Sequence, residues 1–205
     1  DMTNLRAAVA LGLGASVMTM LPLATAHAVA TCLGQPATIE ASSGNVQGTP
    51  GNDVIVISGT VKFADAGAGD DLVCVTDTTK PPIVSTGAGA DEVDASAAGT
   101  KVNVTLGPGP DSLVGSAYDD YVQVGTGGAS LAAPGDPGPY DVATGGGKDT
   151  LIIEVGAAVH AELGRGADGV LLRTVEGSPP SYVDLGPGQD GAAFEDEWEQ
   201  PGAGE

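Results

Sequence analysis

The chain has 205 residues and a net charge of −20, with 33 glycines, 14 prolines and an aromatic content of 3%. This negative charge opposes binding to nucleic-acid phosphates and to anionic membranes, and it favours cations as partners. The low aromatic content excludes an ordinary aromatic-rich core and leaves a narrow core of Val, Ile and Leu as the expectation.

The N-terminal segment, residues 1–28, has the pattern of a secretion signal peptide. Arg6 precedes an apolar run over residues 7–23, and Ala26-His-Ala28 has the small-x-small form of a cleavage site. The run is marginally short for a membrane span. We therefore expect cleavage after Ala28, a secreted protein and no membrane span after signal removal. An uncleaved N-terminal anchor is the alternative.

Residues 29–47 are predicted to form an N-terminal cap that leads into the repeats. The cap contains Cys32, and the second cysteine of the chain is Cys74. An even cysteine count in an exported chain favours one disulfide between them. Two alternatives remain open. Val29-Ala-Thr31-Cys32 resembles a bacterial lipobox, which would make Cys32 a lipid anchor, or both thiols are free.

Residues 48–195 repeat the motif Gly-x-Gly-x-Asp. The six copies are Gly67-Ala-Gly69-Asp-Asp71, Gly87-Ala-Gly89-Ala-Asp91, Gly107-Pro-Gly109-Pro-Asp111, Gly145-Gly-Gly147-Lys-Asp149, Gly164-Arg-Gly166-Ala-Asp168 and Gly186-Pro-Gly188-Gln-Asp190. Their first glycines are 20, 20, 38, 19 and 22 residues apart, so we interpret the long interval as two periods. Glycine permits tight turns at positive φ, and aspartate offers oxygen ligands.

An apolar or small residue follows each motif aspartate at the same offset of two positions. Two shorter relatives, ending at Asp53 and Asp120, obey the same rule. The eight following residues are Ile55, Val73, Val93, Leu113, Val122, Leu151, Val170 and Ala192. A turn followed by a strand with one inward side chain is the unit of a β-solenoid, whose coils must stack to bury that side chain. The pattern predicts an all-β fold, a right-handed parallel β-roll or β-solenoid with coils of roughly 20 residues.

Each coil is expected to carry a second strand. These strands are predicted at residues 61–63, 83–84, 102–106, 159–163 and 182–185, and the last three alternate apolar and polar residues. Asp119-Asp120 begins a half-coil on the second side of the solenoid. Residues 125–141 are predicted to form an extended loop. Residues 196–205 are an acidic tail.

Stacked aspartates create an electrostatic conflict. Coils stack at the strand spacing of about 4.8 Å. Two carboxylates at that distance repel by about 3 kcal/mol at an effective dielectric of 20. Calcium removes the conflict because it binds six to eight oxygens and tolerates carbonyls beside carboxylates. Magnesium demands a tighter octahedral geometry, and zinc prefers nitrogen and sulfur ligands.

These turns resemble the haemolysin-type (RTX) calcium-binding nonapeptide, Gly-Gly-x-Gly-x-Asp-x-U-x, over roughly residues 48–193. The resemblance implies calcium ions between stacked turns of a parallel β-roll, bound by the motif aspartate and backbone carbonyls. The ligands that it implies are Asp53, Asp71, Asp91, Asp111, Asp120, Asp149, Asp168 and Asp190. The chain differs from that family in usually lacking the first glycine, and most of its coils carry the motif on one side only.

We expect an exported Ca²⁺-binding protein without catalytic activity, structural or adhesive at the cell exterior, with calcium ions and cell-surface or extracellular polysaccharide as partners. His160 lies on an alternating strand and is expected to face solvent. A second hypothesis is a β-helix polysaccharide lyase or other carbohydrate-active enzyme, for which Arg165 or Arg173 would supply a basic residue beside calcium. A third hypothesis is a metal-independent structural solenoid.

Overall fold

The computed structural model describes residues 29–125, 138–154, 156–174 and 179–196. The predicted signal peptide, most of the predicted loop at 125–141 and all of the acidic tail but residue 196 lie outside these ranges. Every regular element in the described ranges is a β-strand. No helix that could span a membrane occurs in these parts of the chain.

The described residues form 16 strands. They are β1 (Thr31–Cys32), β2 (Gln35–Pro36), β3 (Ile39–Gln47), β4 (Val54–Ala68), β5 (Leu72–Thr78), β6 (Ile83–Ala88), β7 (Glu92–Asp94), β8 (Asn103–Leu106), β9 (Ser112–Val114), β10 (Tyr121–Gly125), β11 (Tyr140–Ala143), β12 (Thr150–Glu154), β13 (Val159–Glu162), β14 (Gly169–Thr174), β15 (Tyr182–Asp184) and β16 (Gly191–Asp196).

From β3 onward the strands pair in parallel and alternate between two ladders. The first sheet runs from the start of β4 through β5, β7, β9, β11 and β13 to β15. The second sheet runs from the end of β4 through β6, β8, β10, β12 and β14 to β16. The long strand β4 belongs to both sheets, since Val54 pairs with Leu72 and Phe63 pairs with Ile83. This architecture confirms the predicted β-solenoid, with about seven turns of roughly 20 residues.

The core lies between the two sheets and is built by alternation along each strand. Seven of the eight residues that follow an aspartate by two positions are buried, from Ile55 at 0% to Val170 at 5% exposure. Ala192, the eighth, is exposed in the last coil. The buried residues that face inward from both sheets form one cluster, and Cys32, Val56 and Cys74 form a second, smaller one. Each fully buried Val, Ile or Leu contributes about 1.5–3 kcal/mol, so small aliphatic residues suffice for this thin core.

The N-terminal end is closed by a hairpin and a disulfide. Strands β1 and β2 pair antiparallel, and Cys32 is bonded to Cys74 of β5 with a Cα–Cα distance of 5.4 Å. The predicted disulfide is therefore confirmed, and it uses the sulfur atom that a lipid anchor on Cys32 would require. Strand β3 already stacks along β4 from Ile39 onward, so regular stacking begins before residue 48.

We predict that replacing both Cys32 and Cys74 by Ala lowers the free energy of unfolding by about 4 kcal/mol, because the bond closes a long loop in the unfolded chain. The sequence separation of the two cysteines is 42 residues. Denaturant unfolding of the double variant and the parent measures the difference. A change below about 1 kcal/mol would contradict the loop-closure argument.

Candidate functional site

The eight motif aspartates lie in two columns, one at the entry to each sheet. Asp53, Asp71, Asp91 and Asp111 each precede a strand of the first sheet, and we call them the first column. Asp120, Asp149, Asp168 and Asp190 each precede a strand of the second sheet, and they form the second column.

The 38-residue interval in the motif spacing is therefore a change of side and not two periods on one side. The chain steps half a coil, nine residues, from Asp111 to Asp120. One long coil of 29 residues then separates Asp120 from Asp149. Asp119-Asp120 does start a half-coil on the second side, as predicted, and the later motifs continue from it.

Two residues mark the change of side. Asp141 pairs with Ser112, which places Tyr140 beside Asp111 at the end of the first column. Tyr140 is fully buried, and its hydroxyl donates a hydrogen bond of 2.9 Å to the carbonyl oxygen of Gly107. Val102 lies beside Asp120 at the start of the second column, and its N–H donates to Asp120 Oδ1 at 2.8 Å. A tyrosine thus ends one column, and a valine amide begins the other.

Within each column, one carboxylate oxygen accepts a hydrogen bond from the backbone N–H of the preceding coil. In the first column the N–H groups of Asp53, Asp71 and Asp91 donate to Oδ1 of the next aspartate at 2.8, 2.9 and 3.0 Å. In the second column those of Asp120, Asp149 and Asp168 do the same at 2.8, 2.8 and 3.0 Å. These bonds satisfy turn amides that the sheet ladders leave without a backbone acceptor.

The motif glycines are required by the approach of successive coils. Gly87 has φ +95°, and a β-carbon there would lie 1.7 Å from the carbonyl oxygen of Gly67. Gly89 has φ +148°, and its β-carbon would lie 2.0 Å from the oxygen of Gly69. The same contacts recur in the second column, where Gly164 faces the oxygen of Gly145 at 1.8 Å. Glycine is needed here for stacking whether or not a metal binds.

The second carboxylate oxygen is satisfied in some coils and not in others. Three of the carboxylates accept hydroxyl or amide hydrogens, at 2.6–2.9 Å, from a residue four or five positions earlier in the chain. The pairs are Thr49 with Asp53, Ser116 with Asp120, and Thr144 with Asp149. The corresponding residues before Asp71 and Asp168 are Ala66 and Leu163, which have no donor side chain. Oδ2 of Asp71 and of Asp168 is buried and accepts no hydrogen bond from the described residues.

Burial raises the pKa of four column aspartates, namely Asp71, Asp91, Asp120 and Asp149. Burial raises the pKa of Asp71 to about 6, against the opposing effect of the hydrogen bond from the Asp53 N–H. Burial likewise raises the pKa of Asp149 to about 6, although Thr144 and the Asp120 N–H stabilise its charged form. The pKa values of Asp91 and Asp120 are raised by burial as well.

The residue before the column aspartate forms a parallel outer ladder in several coils. Oδ1 of Asn52 accepts from the Asp70 N–H at 3.0 Å, and Oδ1 of Asp70 accepts from the Ala90 N–H at 2.9 Å. Asp119 does the same for Lys148 at 2.8 Å. Sequence reasoning left Asp70 and Asp119 without a defined role, because it gave no partner for these side chains.

The donor chemistry of the columns fits a hard cation. The available atoms are carboxylate and carbonyl oxygens, the ligands that calcium prefers. The ion pairs found among the described residues join His160 to Asp141 and Glu162, and Arg173 to Glu154, so none neutralises Asp71, Asp91, Asp120 or Asp149. No three carboxylate, imidazole or thiolate groups converge in the described ranges. A cation here would therefore take most of its ligands from backbone carbonyls and water.

Of the residues considered for catalysis, His160 and Arg173 have other partners. His160 faces outward, as predicted, with its side chain 49% exposed. Its Nδ1 lies 3.1 Å from Asp141 Oδ1, and its ring stacks on Tyr182 at a centroid distance of 5.2 Å. Arg173 donates a hydrogen bond to the buried Glu154, while Arg165 lies exposed in a turn of the second column.

Comparison of the chain with protein-family models, curated proteins and solved structures gave no match.

We predict that Gly87→Ala prevents stable folding or lowers the free energy of unfolding by more than about 3 kcal/mol, because the new β-carbon overlaps a backbone oxygen. The matched control is Gly34→Ala, whose φ of +84° is similar but whose β-carbon would meet nothing within 4 Å. We expect the control to lose about 1–2 kcal/mol from backbone strain alone. Equal losses in the two variants would show that coil contact does not require the glycine.

We also predict that the metal-free protein becomes less stable as pH rises from 4 to 7. The pKa of Asp71 and Asp149 is about 6 in the folded protein against an ordinary value of 3.8, so between these values the folded state binds more protons than the unfolded chain. The free energy of unfolding then falls with pH, by about 2 kcal/mol or more in total. Urea unfolding in chelator at several pH values measures it, and a rise over this range would contradict the prediction.

Proposed function

We propose that the protein is an exported calcium-binding β-solenoid without catalytic activity, with a structural or adhesive role at the cell exterior. The observation that carries the proposal is that, within the described part of the chain, no ion pair reaches the buried Asp71, Asp91, Asp120 and Asp149. An uncompensated buried carboxylate is strongly unfavourable, and each one that stays charged lowers the stability of the stack. A divalent cation along the columns would offset that cost.

The strongest ligand positions are Asp71, Asp91 and Asp168, whose buried Oδ2 atoms accept no hydrogen bond from the described residues. Asp53, Asp120 and Asp149 have a hydroxyl donor on the carboxylate, so they have less need of a cation. All eight aspartates remain in the proposed ligand set, with turn carbonyls as the neighbouring oxygens. Bound calcium would supply positive charge between coils.

The chain's own groups explain why such binding would couple to folding. The aspartates and turn carbonyls are far apart in the unfolded chain and meet only when the coils stack. A ligand that binds the folded state alone stabilises it according to its concentration and affinity. At low calcium the buried carboxylates must instead be protonated or remain uncompensated. The low-calcium state is therefore the less stable one at neutral pH.

A second candidate function is a metal-independent structural solenoid. Two observations favour it. Backbone amides already bind Oδ1 of the column aspartates, and stacking alone explains the motif glycines. In this case the aspartates act as turn caps, and the function lies in the surface that the rigid stack presents.

Calorimetric titration of the chelator-treated protein with calcium at neutral pH distinguishes the two candidates. The calcium-binding proposal predicts saturable heat and a higher melting temperature. Asp71→Asn should weaken binding by about tenfold or remove a site, while the asparagine oxygen can still accept the amide hydrogen. The control is Asp65→Asn, which changes the net charge equally but lies outside both columns.

Absence of heat and of any change in melting temperature at millimolar calcium would exclude the calcium-binding proposal and favour the metal-independent solenoid. Equal losses in Asp71→Asn and Asp65→Asn would also contradict it, since affinity would then follow overall charge and not the column.

A further inference from the structure

The column aspartates include two classes, which differ in the hydrogen bonds at the second carboxylate oxygen. Three of them accept hydrogen bonds on both oxygens, and we call them closed. The closed carboxylates are Asp53, Asp120 and Asp149. Asp71, Asp91 and Asp168 have a buried Oδ2 that accepts no hydrogen bond from the described residues, and we call them open. These three residues are at most 2% exposed, so the buried oxygen of each calls for a partner of another kind.

Thr144 shows how a coil is closed. Its hydroxyl oxygen lies 2.7 Å from Oδ2 of Asp149 and 2.9 Å from the carbonyl oxygen of Leu163 in the next coil. The hydroxyl therefore lies between a carboxylate oxygen and a carbonyl oxygen of successive coils. Calcium binds these two kinds of oxygen, so a cation between the coils would compete with the hydroxyl for the same atoms. Thr144 is fully buried, so bulk water does not disturb this arrangement.

Ala66 occupies the equivalent position beside an open carboxylate. It precedes Asp71 by five residues, as Thr144 precedes Asp149. Strands β4 and β6 pair in register on both sides of Ala66, so Thr86 is its counterpart in the next coil, as Leu163 is that of Thr144. Ala66 is buried at 1% exposure, and its methyl group has no hydrogen to donate. The coil of Asp71 therefore has the oxygens of a closed coil without the hydroxyl.

Thr86 shows that the hydrogen bond, and not the residue type, defines the closed class. This threonine precedes Asp91 by five residues, and its Oγ1 accepts a hydrogen bond from the N–H of Gly107 at 3.3 Å. Burial raises the pKa of Asp91 and the nearby Thr86 hydroxyl lowers it, yet Oδ2 of Asp91 accepts no hydrogen bond from the described residues. Asp91 is thus an intermediate case, and Asp71 is the clearer open carboxylate.

We propose that hydroxyl caps decide which coils take calcium: Thr144 closes the coil of Asp149 to the ion, and Ala66 leaves the coil of Asp71 open to it. The proposal rests on the calcium binding proposed above and divides its eight aspartates into binding and non-binding coils. The coils of Asp53 and Asp120 are closed in the same way, by Thr49 and Ser116. The protein therefore binds fewer calcium ions than it has motif aspartates, and the capping residue determines the specificity of each coil.

The first test adds a cap to the open coil. Calorimetric titration with calcium at neutral pH counts the sites, and NMR of the backbone amides of the full chain locates them. Ala66→Thr should raise the melting temperature in chelator, reduce the calcium stoichiometry by one and abolish the calcium-induced shifts at residues 67–71, because the new hydroxyl occupies Oδ2 of Asp71. The matched control is Ala97→Thr, which adds the same hydroxyl at an exposed residue outside both columns and should change none of these values.

The second test removes a cap from a closed coil, and it stays decisive if Ala66→Thr does not fold. Thr144→Ala should lower the melting temperature in chelator, increase the calcium stoichiometry by one and produce new calcium-induced shifts at residues 145–149. Thr144→Val also loses the hydroxyl, but its second methyl group fills the same space. The valine variant should therefore lose stability without gaining a calcium site.

The possible failures are distinguishable. If the parent protein takes up no calcium, the proposed calcium binding is wrong and the cap rule fails with it. If the parent takes up calcium but the stoichiometry is unchanged in a folded Ala66→Thr or Thr144→Ala variant, the cap rule alone is wrong. A calcium ion for every motif aspartate of the parent, or a new site in Thr144→Val, would also overturn the cap rule and leave the calcium binding in place.

Discussion

At the glycine turns, the carbonyl oxygen of one coil faces the α-carbon of the next, where a β-carbon would come as close as 1.6 Å to that oxygen. This approach fixes the register of the coils and brings the aspartate of each turn next to the amide of its neighbour. The N–H···Oδ1 bonds then satisfy amides that would otherwise be buried without a partner. Alternation along the short strands places Val, Ile and Leu between the sheets. Turn chemistry therefore sets the geometry, and the aliphatic core supplies the stabilisation.

The same geometry also buries negative charge, which is unfavourable unless it is compensated. A stack that uses carboxylates as amide caps buries negative charge at regular intervals, and burial raises the pKa of Asp71 and Asp149 to about 6. Hydroxyl groups of Thr49, Ser116 and Thr144 donate hydrogen bonds to three of these carboxylates. Asp71 and Asp168 have no such donor among the described residues. A bound cation is the remaining way to compensate the charge of these two groups. The proposal of calcium binding follows from this unequal capping more than from the motif itself.

The repeat period, the inward residues and the disulfide could be predicted from the sequence, because each depends on local spacing or on a count of two cysteines. The change of side between Asp111 and Asp120 could not. A motif interval gives the distance along the chain but not the side of the solenoid on which the motif lies. In the structure the first column ends where the buried Tyr140 lies beside Asp111. The hydroxyl caps were missed although Ser or Thr four or five residues before an aspartate is a readable signal. The register shifts of β3 against β4 and of β4 against β5 were likewise not predicted.

The central claim is that buried amide-to-carboxylate bonds join the turns of successive coils. Amide hydrogen exchange measured by NMR tests it most directly. The N–H groups of Asp71, Asp91 and Asp149 should exchange as slowly as those of the core strands. The N–H of the exposed Ser96, which donates to the Asp94 carboxylate within one turn, should exchange much faster. Exchange of the column amides at the rate of Ser96 would contradict the account.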